Sequence, residues 1–335
     1  MIETSILPYA HPTTVVLLDD NELFLRTLDL RMPGTMAYLL YQDARQALTR
    51  INERPILAPI PLRYEAPPRA TLHWPETVIR FDLSLIEQEI YQTERFRRVS
   101  VLIADFSMPA MTGLELCAQI VDPGIKKILM TGTADETVAV RAFNDGVIDH
   151  YVPKNRPNTL DDVVDGAREL QRAYFLDQQR AIQETLLLDP PALLEDPVVI
   201  EYFAAERKKH RIVEYYLVGD PPGFVCISTR GVLSRLLVLS NAEVTQQVDF
   251  VARRGAPLDV VQAIARRSQI GYFVEGAETD PDESYPWHRM LHKPTRLEGK
   301  QEWWVAFITD AAIDIEFDPQ DSSFQTYLDA LDADI

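Results

Sequence analysis

Cysteine is nearly absent from this chain: Cys117 and Cys226 are the only two in 335 residues. Two thiols so far apart form neither a disulfide framework nor a metal knuckle, so reduced thiols and a cytoplasmic location are expected. No apolar run approaches the about 20 residues that a membrane span needs, so no membrane role is expected. The N-terminal stretch MIETSILPYAHP has no basic region ahead of an apolar one and makes a poor signal peptide. Positive charge is also scarce. Lys and Arg number 33 against 51 Asp and Glu, for a net charge of −18. Broad binding to nucleic acid or to an anionic membrane needs a cationic face, which this balance disfavours. The C-terminal half has no Gly-rich phosphate loop and no cyclase-like or phosphodiesterase-like signature.

What is present builds sizeable cores. Hydrophobic residues make up 46% of the chain, and the length suggests two domains. Residues 13–18 form a continuous apolar, β-branched run that suits a strand buried on both faces and ends in Asp19-Asp20-Asn21. A helix is expected from Glu22 to Met32, stopped by Pro33-Gly34. A short apolar run (Met36–Tyr41) and a helix (Ala44–Ile51) follow. Val99–Ala104 is another apolar strand, ending at Asp105. Ile125–Met130 ends at Thr131. A helix over Asp135–Asn144 closes at Gly146. Val147–Val152 ends beside Lys154, and Thr159 starts a long helix with Asp162 as a capping-box partner.

Strands alternating with helices imply a parallel sheet covered on both faces, with ligands at the carboxyl ends of the strands. Asp19, Asp20, Asp105, Thr131 and Lys154 all fall there. Three carboxylates at one edge repel one another and need a cation or raised pKa values. A hard divalent ion with oxygen ligands suits them, and Mg²⁺ keeps sites open for water and phosphate oxygens. A carboxylate beside such an ion can attack phosphorus and form an aspartyl phosphate. A lone Asp at a strand end is commonly a helix cap, and a lone Lys a solvated side chain. The ordered set outweighs that reading.

Four motifs carry a family resemblance: LLDDNE, IADFSMPAMTG, ILMTGTAD and HYVPKN. In this order the chain resembles the receiver domain of two-component response regulators over about residues 13–52 and 98–175. The resemblance implies a flavodoxin-like, doubly wound five-stranded parallel sheet in the order 2-1-3-4-5. It implies Asp105 as phosphoacceptor, with Mg²⁺ held by Asp20, Asp105 and the backbone carbonyl of Ser107, and by Asp19 through water. Thr131 and Lys154 would contact the phosphoryl group, Tyr151 would be the aromatic switch, and Thr133 would modulate the site. The implied partner is a sensor histidine kinase or a phosphotransfer protein. The family usually places proline after the lysine; here Pro153 precedes Lys154 and Asn155 follows it.

The expected domains are a receiver over residues 1–175, interrupted by an insertion at 53–98, a helical linker over 160–194, and a smaller α+β domain over 195–335. The insertion holds six prolines, Pro55, Pro59, Pro61, Pro67, Pro68 and Pro75, so its first half is neither helix nor central strand. Its second half, Ser84–Arg98, has helical spacing, and an ordered arm is expected. The long helix could pair with a second copy in a dimer or pack on its own second domain.

Beyond residue 195 a helix (Pro197–Lys209) precedes strands at Val213–Val218, Phe224–Ser228 and Leu236–Leu239. Helices near 242–253 and 258–267 and strands at Met290–Leu297 and Glu302–Thr309 follow. This is an antiparallel meander with a loose likeness to PAS-like folds. The helix pair has helix-turn-helix spacing, but Asp259 near the second helix and the acidic surroundings argue against DNA. His288 and His292 lack a third metal ligand nearby, and Trp287, Trp303 and Trp304 read as core. Residues 310–335 hold eight acidic residues and no Lys or Arg, a solvated tail. The output is expected to be protein association or dimerisation rather than catalysis. A DNA-binding output and an enzymatic or ligand-sensing output are the alternatives.

Overall fold

A computed structural model of the chain describes residues 5–53, 92, 94–132, 135–179, 191–219, 221–273, 285–309 and 322–333. The chain forms two compact units, one drawn from residues 11–59, 93–184 and 327–335, the other from 1–10, 60–92 and 185–326. The first strand, β1 (Tyr9–Ala10), belongs to the second of these.

The first unit holds β2 (Thr14–Leu18), α1 (Glu22–Asp29), β3 (Ala37–Tyr41) and α2 (Ala44–Asn52). It continues through β4 (Val99–Asp105), α3 (Gly113–Cys117), β5 (Lys126–Thr131), α4 (Glu136–Asn144), β6 (His150–Pro153) and α5 (Thr159–Gln178). All neighbouring strands are parallel, in the order β3-β2-β4-β5-β6. The expected order is thus the observed one. Val15, Val16, Leu17 and Leu18 are all fully buried, as a strand covered by helices on both faces requires. Val16 and Leu18 face one core with Ala47 and Leu116, while Val15 and Leu17 face another with Leu28 and Val163.

Local differences from the expectations include α3 and the start of α5. The five-residue α3 has no counterpart among the expected elements; it is started by a reciprocal capping box between Thr112 and Glu115. Thr159 does not cap α5. Its hydroxyl donates to the carbonyls of Pro153 and Arg156, both at 2.8 Å, and Asn158 occupies the cap position without a side-chain bond. Gly146 does close α4, with φ of +70°.

In the second unit α6 (Pro197–His210), β7 (Ile212–Gly219), β8 (Pro222–Ser228), β9 (Leu233–Ser240), α7 (Asn241–Arg253) and α8 (Leu258–Ala265) come first. The short pair β10 (Ile270–Gly271) and β11 (Leu291–His292), then β12 (Thr295–Glu298) and β13 (Glu302–Thr309), complete it. The six-stranded sheet has the order β1-β7-β8-β9-β13-β12, and every pairing is antiparallel. The single strand expected over Met290–Leu297 is split into β11 and β12 at Pro294, which has no N–H for the ladder.

Val251, Val260 and Ile264 bury the apolar faces of α7 and α8 against Leu237 and Leu239 of the sheet. Trp287 and Trp303 are core, as expected. His288 pairs with Asp259 at 2.9 Å. Asp196 is fully buried at the start of α6, where its carboxylate accepts N–H bonds from Val198, Lys300 and Trp303 Nε1. That carboxylate fastens the helix to the β12–β13 turn.

The sequence-based division at residue 175 misses an exchange at each end. β1 pairs with β7 through Tyr9↔Tyr216, so the N-terminal residues fold with the antiparallel sheet. The acidic tail holds α9 (Phe324–Ala333). Phe324 is fully buried, and the Tyr327 hydroxyl, in the parallel unit, lies 2.7 Å from Thr14 Oγ1. Acidity hid a helix with its own apolar anchors. The expected arm at 84–91 and linker residues 180–190 lie outside the described residues. Arg95–Arg97 form a 3-10 turn leading into β4.

Candidate functional site

Parallel register sets the site. Leu18 lies opposite Ala104, Asp105 opposite Met130, and Thr131 opposite Pro153. The residues that end or follow these strands therefore meet at one rim. Asp19 is fully buried; its carboxylate accepts the Asn21 N–H at 2.9 Å and the Lys154 ammonium at 2.6 Å. The same ammonium lies 2.8 Å from Asp105 Oδ1. Asp20 is exposed beside them, and one oxygen of each of Asp19, Asp20 and Asp105 lies within 4.8 Å of the others. Among the described residues this is the one cluster that could hold a metal ion.

Asp105 is 7% exposed, and burial raises its pKa above the usual carboxylate value. The hydrogen bond and charge of Lys154 oppose that rise, while the charge of Asp19 adds to it. Thr131 is fully buried, and its hydroxyl has no hydrogen-bond partner among the described residues. A buried hydroxyl without a partner is costly, and a ligand oxygen at the rim would relieve that cost.

The inverted Pro-Lys order leaves Lys154 at the rim. β6 is an edge strand, where proline is tolerated, and the backbone N–H of Lys154 donates to the Thr131 carbonyl at 2.8 Å. Tyr151, opposite Leu129, is half-buried against the core, with the Phe143 ring edge-on at 6.3 Å. Ser107 is exposed, and its hydroxyl donates to Asp135 Oδ2 at 3.3 Å. Thr133 lies outside the described residues.

Two neighbours of the site carry no site role in the sequence reading, although one of them, Asp135, is the last residue of the quoted ILMTGTAD motif. Asp135 stands at the start of α4 without capping it, its carboxylate taken up with Ser107. Phe24 lies under the Lys154 ammonium, 4.8 Å from ring centroid to Nζ. Its one sequence signal is its place three residues after the cap residue Asn21. Gly113 likewise falls inside a quoted motif, IADFSMPAMTG. A Cβ there would run into the Asp105 carbonyl oxygen and lie 2.8 Å from Leu129 Cδ1.

The family model described as "Response regulator receiver domain" matches residues 86–165. Comparison with curated proteins finds no match. Among solved structures, the chain is similar to the Legionella pneumophila response regulator LqsR. The two share 28% identity and a TM-score of 0.77, covering 99% of this chain and 98% of that one. It is also similar to an adenylate cyclase structure from Rhodopirellula baltica, at 18% identity, TM-score 0.33, and coverage of 53% of this chain and 98% of that one. A response regulator receiver domain protein from Clostridium thermocellum aligns at 15% identity and TM-score 0.31, covering 49% of this chain and 98% of that one.

Proposed function

We propose that this chain, which is a response regulator with a receiver domain, accepts a phosphoryl group on Asp105 from a sensor histidine kinase or a phosphotransfer protein. Phosphorelay signalling follows from the receiver domain itself. The observation that carries the finer reading is one ammonium, Lys154, bridging Asp19 and Asp105 at the rim that holds the buried Thr131 hydroxyl, which has no hydrogen-bond partner among the described residues.

The donor set fits a hard divalent ion: three carboxylates with oxygens in mutual reach and the Ser107 carbonyl two residues on. Mg²⁺ held there would offset the repulsion between carboxylates and phosphoryl oxygens. The Asp105 carboxylate oxygen forms a bond to phosphorus. The bond from phosphorus to the donor breaks, its electron pair leaving with the donor. Lys154, already paired with Asp105, sets its ammonium against the phosphoryl oxygens and donates hydrogen bonds to them. Thr131 donates its hydroxyl to one of them, and Tyr151 turns inward behind it. The change then reaches the surface of α5 and the last strands.

In this reading the protein is cytoplasmic, and its output is altered association of the second unit with protein partners or with a second copy through α5. No helix among the described residues is long and apolar enough to cross a membrane.

The experiment is intact-mass measurement after incubation with acetyl phosphate. With Mg²⁺ the wild-type chain should gain the mass of one phosphoryl group, and with a chelator it should not. No gain with Mg²⁺ overturns the proposal.

A further inference from the structure

The polar partners of Lys154 leave one side of its ammonium unexplained. Asp19 and Asp105 contact it at 2.6 and 2.8 Å. The face of Phe24 lies at 4.8 Å, within the range where an aromatic quadrupole attracts a cation. The sequence sets this contact locally. Asn21, directly after the acidic pair, accepts the N–H groups of Leu23 and Phe24 at 3.1 and 3.2 Å. That cap starts α1 at once, so its first turn stands beside the rim. Leu25 and Leu28 anchor the helix in the core, and Phe24 packs on the same cluster from its edge.

We infer that Phe24 is a positioning residue for phosphoryl transfer, its ring holding the Lys154 ammonium in line with Asp105. The inference rests on the phosphotransfer reading above. A lysine side chain has rotamer entropy to lose on being fixed. Two carboxylates fix it at rest, but one of them is consumed when Asp105 becomes an acyl phosphate. The contact with the ring does not depend on that charge. Phe24 therefore keeps the ammonium in place through the step in which Asp105 stops being its partner.

The test is the initial rate of labelling by acetyl phosphate with Mg²⁺. Phe24→Leu keeps an apolar side chain and removes the ring; it should slow labelling about 3- to 10-fold. Phe24→Trp should restore it. Replacing Phe24 with mono-, di- and trifluorinated phenylalanine should lower the rate stepwise, because each fluorine drains the ring face while shape barely changes. Wild-type rates for Phe24→Leu, or equal losses in the Leu and Trp variants, overturn the inference.

The Lys154 ε-methylene protons supply a readout that needs no phosphate. Their ring-current shift should be present in the wild type and lost in Phe24→Leu. An unlabelled wild type would sink the phosphotransfer reading, and the inferred positioning role with it. An absent ring-current shift in a protein that does label would sink this inference alone.

Discussion

Asp105→Asn should abolish phosphoryl uptake from acetyl phosphate and Mg²⁺ without unfolding the protein. The loss should be at least about 100-fold, a conservative bound beside the roughly 10⁶-fold lost when a serine protease loses its nucleophile. An amide oxygen matches the carboxylate in shape but does not attack phosphorus at neutral pH. The two neighbouring carboxylates differ from Asp105 in their surroundings. Asp19 is fully buried and engaged with Lys154 and the Asn21 N–H, and Asp20 is turned to solvent.

Stability should move the other way. Burial raises the Asp105 pKa, so the folded state disfavours the charge more than the unfolded chain does. Above that raised pKa the ionised group subtracts from stability, and a neutral asparagine removes the penalty. Thermal unfolding of Asp105→Asn should therefore occur at or above the wild-type temperature. Labelling equal to wild type would show that the phosphoryl group goes elsewhere.

Gly113→Ala should damage both fold and chemistry. Gly113 opens α3, and its N–H donates to the Phe106 carbonyl at 3.0 Å. A methyl group there meets the Asp105 carbonyl oxygen, a backbone atom of the central ladder that pairs Asp105 with Met130. A flexible side chain could yield to it, but a backbone carbonyl in a sheet cannot do so without moving the strand end. Overpacking of this kind costs about 1–3 kcal/mol. The unfolding temperature should fall by several degrees. A displacement approaching 1 Å at a reacting group can cost about 100-fold in rate, so labelling should slow by about 10- to 100-fold. Gly34→Ala is the matched control, since a Cβ on Gly34 meets nothing within 4 Å. If the two variants behave alike in unfolding and labelling, close packing under Asp105 is not what Gly113 supplies.

The parallel unit was legible because its signals are redundant. A strand covered on both faces must be apolar throughout, and Val15–Leu18 and Val101–Ala104 are. Its polar residues then collect at the strand ends, so the sequence alone places Asp19, Asp105, Thr131 and Lys154 at one rim. Shorter features carried no such redundancy. β1 is two residues long, and its pairing with β7 depends on a strand about 200 residues away. Five-residue α3 depends on one capping box rather than on periodicity. Thr159 had the composition of a helix cap, but the Pro153 carbonyl took its hydroxyl instead. Phe24 had no pattern to reveal it, because a contact between an aromatic ring and an ammonium 130 residues away leaves no mark on local spacing. In the antiparallel unit the strands alternate less clearly, since both faces of β7 through β9 are buried.

The most direct measurement is to trap the acyl phosphate where it forms. Borohydride reduces an aspartyl phosphate to homoserine, and peptide mass mapping locates the change. After treatment with acetyl phosphate and Mg²⁺, reduction should convert position 105 and leave positions 19 and 20 as aspartate. Conversion at 19 or 20, or none at 105 in a protein that has gained phosphate, would contradict the account.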